Sequence, residues 1–178
     1  MKTPKKWFVL WFTGLPCSGK TTLADAVAKE LKSMWYINIQ RLDGDEIRTH
    51  LCSDLWFSRE DRSKNLERVG YVAKLLSDNW VGVIASFVSP YKADRDKIRA
   101  MVTNYIEVFV DTPLEVCEER DVKWMYAKAR AGIIKDFTGV DDPYERPEKS
   151  EIDIWFKNSA KKNCQIILSN WYLKYKLA

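Results

Sequence analysis

At 178 residues, 46% of them hydrophobic, the chain is long enough to bury one sizeable core and carries no Pro/Ser-rich linker or charge block that would divide it, so a single domain over residues 1–178 is expected. The formal charge is only +4, with Lys and Arg interspersed among Asp and Glu, which argues against a nucleic-acid partner and leaves a small polyanion as the fitting ligand. Cys17, Cys52, Cys117 and Cys164 form no C-x-x-C pair, and His50 is the only histidine, so the cysteines read as reduced thiols and a zinc motif is excluded.

The start, Met1 to Lys6, is basic, but the apolar run behind it passes straight into a loop. A cleavable signal or a membrane span is therefore not expected, and the protein reads as soluble and cytoplasmic, with no membrane partner. After Phe8-Val9-Leu10-Trp11-Phe12 comes Gly14-Leu15-Pro16-Cys17-Ser18-Gly19-Lys20-Thr21, followed by Thr22. This is G-x-x-x-x-G-K-[ST] in the strand-to-helix context where the pattern means a phosphate-binding loop. Successive backbone N–H groups and the start of a helix offer positive potential to phosphate oxygens. Lys20 would reach the β- and γ-phosphates of ATP and Thr21 would offer its hydroxyl to Mg²⁺.

From Thr21 to Lys32, Leu23, Ala24, Val27, Ala28 and Leu31 recur at helical spacing and predict an amphipathic helix on a sheet. A short apolar stretch at Ile37-Asn38-Ile39 leads to Leu42-Asp43-Gly44-Asp45. The runs 81–88 and 105–110 read as near-continuous apolar strands, with helices over 60–78 and 93–101 between the strands. Gln165-Ile166-Ile167-Leu168 reads as a last strand, and the polar segment 120–147 as a lid. Open parallel sheets bind ligands beyond the carboxyl ends of their strands. Asp43 and Asp45, Ser89-Pro90-Tyr91 and Asp111 all stand at such ends and are expected to converge on the phosphate loop.

Together these segments resemble the adenylylsulfate kinase (APS kinase) family over about Trp7 to Glu148. The carriers are Leu42-Asp43-Gly44-Asp45 with Arg48, 57–62 with Asn65, 86–95 containing Ser89-Pro90-Tyr91, 107–117, and Lys128-Ala129-Arg130-Ala131-Gly132 with Phe137-Thr138-Gly139. The resemblance implies an α/β three-layer P-loop kinase fold, a mainly parallel sheet with helices on both faces and the lid. It also implies transfer of the ATP γ-phosphoryl group to the 3′-hydroxyl of adenosine 5′-phosphosulfate (APS), yielding PAPS and ADP in sulfate activation. Arg48 and Arg62 match the substrate arginines, whose planar forks suit phosphosulfate oxygens. Asn65, the backbone at Val88-Ser89, and Lys123 match further substrate contacts, and Phe57 and Phe137 match the aromatics around the substrate adenine. Arg120, Lys123 and Arg130 are the lid cations. A homodimer and a functional link to ATP sulfurylase follow as family expectations.

Some alternatives stay open at this stage. Asp43 either orients or deprotonates the accepting hydroxyl, or caps the next helix, as Asp45 beside it also can. Family descriptions make Ser89 a phosphoserine intermediate, but no histidine base lies near it in sequence, which favours direct transfer. The alternative function is a catalytically impaired, nucleotide-binding regulatory homologue.

Eight tryptophans stand against seven glycines, where usual glycine content of about 7% would give roughly twelve. Trp35, Trp56, Trp80 and Trp124 stand where the family pattern has glycine, at turns that often need positive φ. The hypothesis from sequence is that UGA codons meaning glycine have been translated as tryptophan. Cys17 and Asp136 also fall at positions that are small or glycine in the family.

Overall fold

A computed structural model of the protein describes residues 7–176; the basic segment Met1 to Lys6 lies outside the described residues. The elements in chain order are β1 (Val9–Thr13), α1 (Lys20–Ser33), β2 (Ile39–Asp43), α2 (Gly44–Thr49), α3 (Arg59–Asp78), β3 (Gly82–Ser86), α4 (Lys92–Met101), β4 (Tyr105–Asp111), α5 (Leu114–Arg120), α6 (Met125–Arg130), β5 (Ile152–Trp155) and α7 (Ala160–Lys176). Five parallel strands form one sheet in the order β2-β3-β1-β4-β5. Among the described residues no helix is long and apolar enough to cross a membrane.

Strand β1 is buried throughout because it is central and covered on both faces. Its alternate residues serve different layers. Phe8, Leu10 and Phe12 pack with Leu23, Val27 and Leu31 of α1 and Ile167 and Trp171 of α7. Val9 and Trp11 pack with Leu66, Val69 and Ala73 of α3 and Ile98 of α4. The three-layer α/β expectation is met, and the helices expected from 60 and 93 begin at Arg59 and Lys92.

The expected last strand is wrong. Residues 165–168 lie inside α7, and the fifth strand is Ile152-Asp153-Ile154-Trp155. A four-residue apolar run does not distinguish strand from helix. The wider spacing does: Cys164, Ile167, Leu168 and Trp171 form one buried stripe, at intervals of three, one and three residues, that packs on the layer containing α1. In β5 only Ile152 and Ile154 are buried, and that short alternation was overlooked.

The tryptophans divide by environment. Trp11 and Trp171 are buried core residues, whereas Trp35, Trp80 and Trp124 are 89%, 49% and 72% exposed. Those three have left-handed backbones, with φ of 73°, 65° and 56°. Trp35 follows α1 in a Schellman turn, where its N–H donates to Lys32 O (3.2 Å) and that of Tyr36 to Leu31 O (3.1 Å). After α3, Val81 N–H donates to Leu76 O (3.0 Å) around Trp80 in the same way. Trp56 is exposed but is not among the positive-φ residues, so the backbone reason for glycine does not extend to it. Cys17, Ser89 and Asp136, all small, are the other non-glycine residues with positive φ among the described residues.

Candidate active site

The loop between β1 and α1 is shaped by its two outer glycines. A Cβ on Gly14 would lie 2.8 Å from Val110 O, and Gly19 has φ of +99° at the mouth of α1. Lys20 turns back into this loop. Its Nζ donates to Gly14 O (2.9 Å) and Leu15 O (2.6 Å), and burial lowers its pKa to about 8. Arg120, at the end of α5, donates to Ser18 O (3.2 Å), so a second cation faces the loop.

Asp43 ends β2 and caps α2. One carboxylate oxygen accepts from Asp45 N–H (3.1 Å), while the other accepts from Thr21 Oγ1 (2.9 Å) and Ser86 Oγ (2.7 Å). The capping reading and the site reading thus coexist in one side chain. Burial alone would raise the Asp43 pKa, but the hydrogen bonds from Ser86, Asp45 and Thr21 and the charge of Arg41 outweigh it and hold the carboxyl below its ordinary value. Asp45 is exposed and pairs with Lys123 across the cleft.

The far wall is made mainly of side chains. Arg62 donates through Nε to Phe57 O (2.9 Å) and through Nη2 to Asp136 O (2.6 Å), which ties α3 to the segment after α6. Arg48 lies 4.5 Å above the Phe57 ring and Arg62 lies 5.5 Å from it. Arg48 also donates to Trp56 O (2.9 Å). Asn65 is buried, and its Oδ1 has no hydrogen-bond partner, a vacant acceptor beside the cleft. Phe137 is buried edge-on against Tyr126, with centroids 5.0 Å apart.

Ser89 is 2% exposed, and its hydroxyl accepts from the Trp11 indole N–H (2.9 Å). Its left-handed backbone (φ 48°) is pinned where its carbonyl accepts from Arg95 (2.7 Å). The carbonyl of Val88 accepts from Thr13 Oγ1 (2.8 Å). Arg95 is itself buried against Glu107 (3.1 Å) and donates to Glu145 O (2.7 Å), so one guanidinium joins β4, the end of β3 and the last residues of the 120–147 segment.

One cleft of about 1130 Å³ is lined by Pro16 to Thr22, Asp43, Asp45, Arg48, Phe57, Arg62, Asn65, Val88, Ser89, Arg120, Lys123 and Phe137. Gly14 and Leu15 supply the carbonyls that hold Lys20 but do not line it. Arg130 does not line it either and pairs with Glu118 of α5. Sequence reading overlooked Ser86, although it stands at a strand end like the residues that were noticed. It also overlooked Phe156 and Asn158, which line the cleft from the β5–α7 connection and were hidden by the misassigned last strand.

The sequence matches the adenylylsulphate kinase family model over residues 6–155. The chain belongs to the adenylylsulphate kinase family. It is 59% identical over 147 residues to a probable adenylyl-sulfate kinase of Pseudomonas aeruginosa, covering 83% of this chain and 68% of that one. An adenylyl-sulfate kinase of Synechococcus sp. (strain JA-3-3Ab) is 51% identical over 148 residues, with 83% and 84% covered. The APS kinase CysC of Mycobacterium tuberculosis, solved in complex with AMPPNP and APS, superimposes with a TM-score of 0.91 at 38% identity over 95% of this chain and 99% of that one.

Proposed function

We propose that this protein transfers the γ-phosphoryl group of ATP to the 3′-hydroxyl of APS, giving PAPS and ADP. The observation that carries the reading is that a phosphate loop and an arginine–phenylalanine wall share one cleft roomy enough for two nucleotides. In this reading residues 16–22 and Arg120 take ATP, whereas Arg48, Arg62, Phe57, Asn65, Phe137 and the Val88-Ser89 corner take APS. The two arginine forks engage the phosphosulfate, and the Asn65 acceptor engages a donor of the bound nucleotide. Lys20 exchanges the carbonyls of Gly14 and Leu15 for phosphate oxygens. Phosphoryl transfer has a loose transition state, so alignment and neutralisation of spreading charge do most of the catalytic work.

Thr21 Oγ1 and Asp43 Oδ2, 2.9 Å apart, are hard oxygen donors beside the loop, a set that fits Mg²⁺ together with phosphate oxygens and water. Mg²⁺, when bound, supplies charge neutralisation on the phosphates. Asp43 accepts so many hydrogen bonds that it is a weak base, which supports orientation of the accepting hydroxyl over full proton abstraction. The buried Ser89 hydroxyl accepts its hydrogen bond from an indole, and among the described residues no carboxylate or imidazole is hydrogen-bonded to it, which supports direct transfer over a phosphoserine.

We further propose one catalytic domain acting in the cytoplasm as a homodimer, supplied with APS by an ATP sulfurylase; sedimentation of the protein tests the dimer. No observation favours an impaired regulatory homologue, because Lys20, Thr21, Asp43, Arg48 and Arg62 line the same cleft. Incubation with ATP, Mg²⁺ and APS tests the function. Formation of PAPS and ADP in equal amounts is expected, and nucleotide binding without turnover would overturn the reading.

A further inference from the structure

We propose that Ser86 is a positioning residue for phosphoryl transfer, fixing the Asp43 carboxylate between the phosphate loop and the accepting hydroxyl. The inference rests on the function proposed above. The parallel register pairs Asp43 of β2 directly with Ser86 of β3. Ser86 is 4% exposed, and its hydroxyl has one geometry that serves both neighbours: it donates to Asp43 Oδ2 (2.7 Å) and accepts from Arg41 Nη2 (3.3 Å). Arg41 is immobilised in turn, donating to Ile84 O (2.8 Å) and pairing with Asp25 of α1 (2.8 Å). Asp25, Arg41, Ser86, Asp43 and Thr21 therefore form one continuous chain from α1 across two strands and back to the start of α1. Without the Ser86 hydroxyl, Oδ2 keeps Thr21 and the more distant Arg41 guanidinium (3.7 Å) but loses its shortest hydrogen bond, the one that ties it to β3, and the carboxylate is less firmly fixed toward the reacting atoms.

Steady-state kinetics of Ser86→Ala and Ser86→Thr test this. The alanine variant is expected to lose about 10- to 100-fold in kcat, with both Michaelis constants within about twofold of the parent. The threonine variant, which keeps the hydroxyl, is expected to recover most of that loss. Unchanged kcat in Ser86→Ala, or equal loss in both variants, would overturn the inference. Should Ser86→Ala not fold, Arg41→Lys, which keeps the charge but loses the guanidinium fork that reaches Ile84 O, Ser86 and Asp43 together, is expected to give the same split between kcat and KM, and unchanged kcat would overturn the inference there too. If the parent enzyme makes no PAPS, the proposed function falls and this inference falls with it; parent turnover with an unaffected alanine variant removes this inference alone.

The backbone carries a second inference independently. We infer that glycine occupies positions 35, 80 and 124 in the protein its cell makes, through UGA codons decoded there as glycine. The bulky residues with left-handed backbones are all tryptophan; the other non-glycine residues in that region are Cys17, Ser89 and Asp136. A left-handed conformation crowds the Cβ of a bulky residue against its own backbone and is disfavoured. Core packing does not repay it, since all three indoles are exposed. Trp35 and Trp80 also hold the position after a helix where a Schellman turn favours glycine. One reassigned codon accounts for all three misfits and leaves the buried Trp11 and Trp171 as ordinary tryptophans. Sequencing the gene and weighing peptides of the natively produced protein test it: UGA codons with glycine-mass peptides at 35, 80 and 124 are expected. A UGG codon or a tryptophan-mass peptide at any of the three would overturn the inference. In the recombinant tryptophan-bearing chain, Trp80→Gly is expected to raise the melting temperature, and a fall would count against glycine as the native residue.

Discussion

The two walls of the cleft are built from different materials. The donor wall is a continuous stretch of backbone, Pro16 to Thr22, whose lysine is stored against its own loop. The acceptor wall gathers side chains from α2, the α2–α3 connection, α3 and the segment after α6, held together by contacts such as that of Arg62 with Asp136 O. A phosphate chain is common to all nucleoside triphosphates and is recognised by repeated N–H groups, whereas the acceptor must be selected by individual forks and rings. In the proposed function, affinity for the shared ligand thus comes from local chain geometry, and selection of the particular one from tertiary structure.

The largest effect should come from breaking the donor wall at its buried lysine. Lys20→Ala is expected to lower kcat by about 10²- to 10³-fold with the fold intact, because neutralisation of the transferring group is lost while the loop N–H groups remain. Turnover within a few fold of the parent would refute the assigned role. Next, Arg62→Ala should raise the KM for APS by about 10- to 100-fold and leave that for ATP nearly unchanged, as expected for loss of charge-assisted hydrogen bonds confined to one wall. Equal rises in both constants would erase the division between the walls.

A pH titration sharpens the same contrast. Burial puts Lys20 of the free protein near pKa 8, below its ordinary value, so the ammonium form is present below that pH and is lost as pH rises through it. The kcat/KM for ATP should fall above about pH 8, whereas the arginines of the acceptor wall remain charged and should not impose this limb on APS affinity. A pH-independent kcat/KM for ATP between pH 7 and 9 would contradict it. The smallest effect on turnover is expected for Ser89→Ala. Leaving the buried Trp11 N–H without its acceptor costs about 1–3 kcal/mol of stability, but direct transfer keeps PAPS formation within about tenfold. Normal binding of both substrates with no detectable PAPS would reverse the mechanistic assignment.

The same division explains what was legible in the sequence. The phosphate loop and α1 are local, and spacing alone located them. The strand-end rule also located Asp43 and Ser89 in the cleft lining, because parallel strands deliver their carboxyl ends to one side, but Asp111 at the end of β4 lines a neighbouring pocket instead and pairs with Arg146. Ser86 escaped notice because its meaning comes from lateral register with Asp43, which one strand read by itself does not contain. Residues 165–168 failed for a related reason: four apolar residues satisfy either period, and the buried stripe through Trp171 decides only over two turns. The glycine-like backbones of Trp35, Trp80 and Trp124 were legible in advance only through the family pattern, which has glycine at those turns. For Trp56 the positive-φ argument fails on its backbone.

The pair between Lys123 and Asp45 bridges the α5–α6 connection and α2, yet its side chains are 56% and 77% exposed. Contacts of this kind contribute about 0–1 kcal/mol and are screened over a Debye length of about 8 Å at physiological ionic strength. It is therefore a catch and not a lock: thermal agitation releases it readily and added salt loosens it further, so in the proposed function it would set little resistance against a departing product.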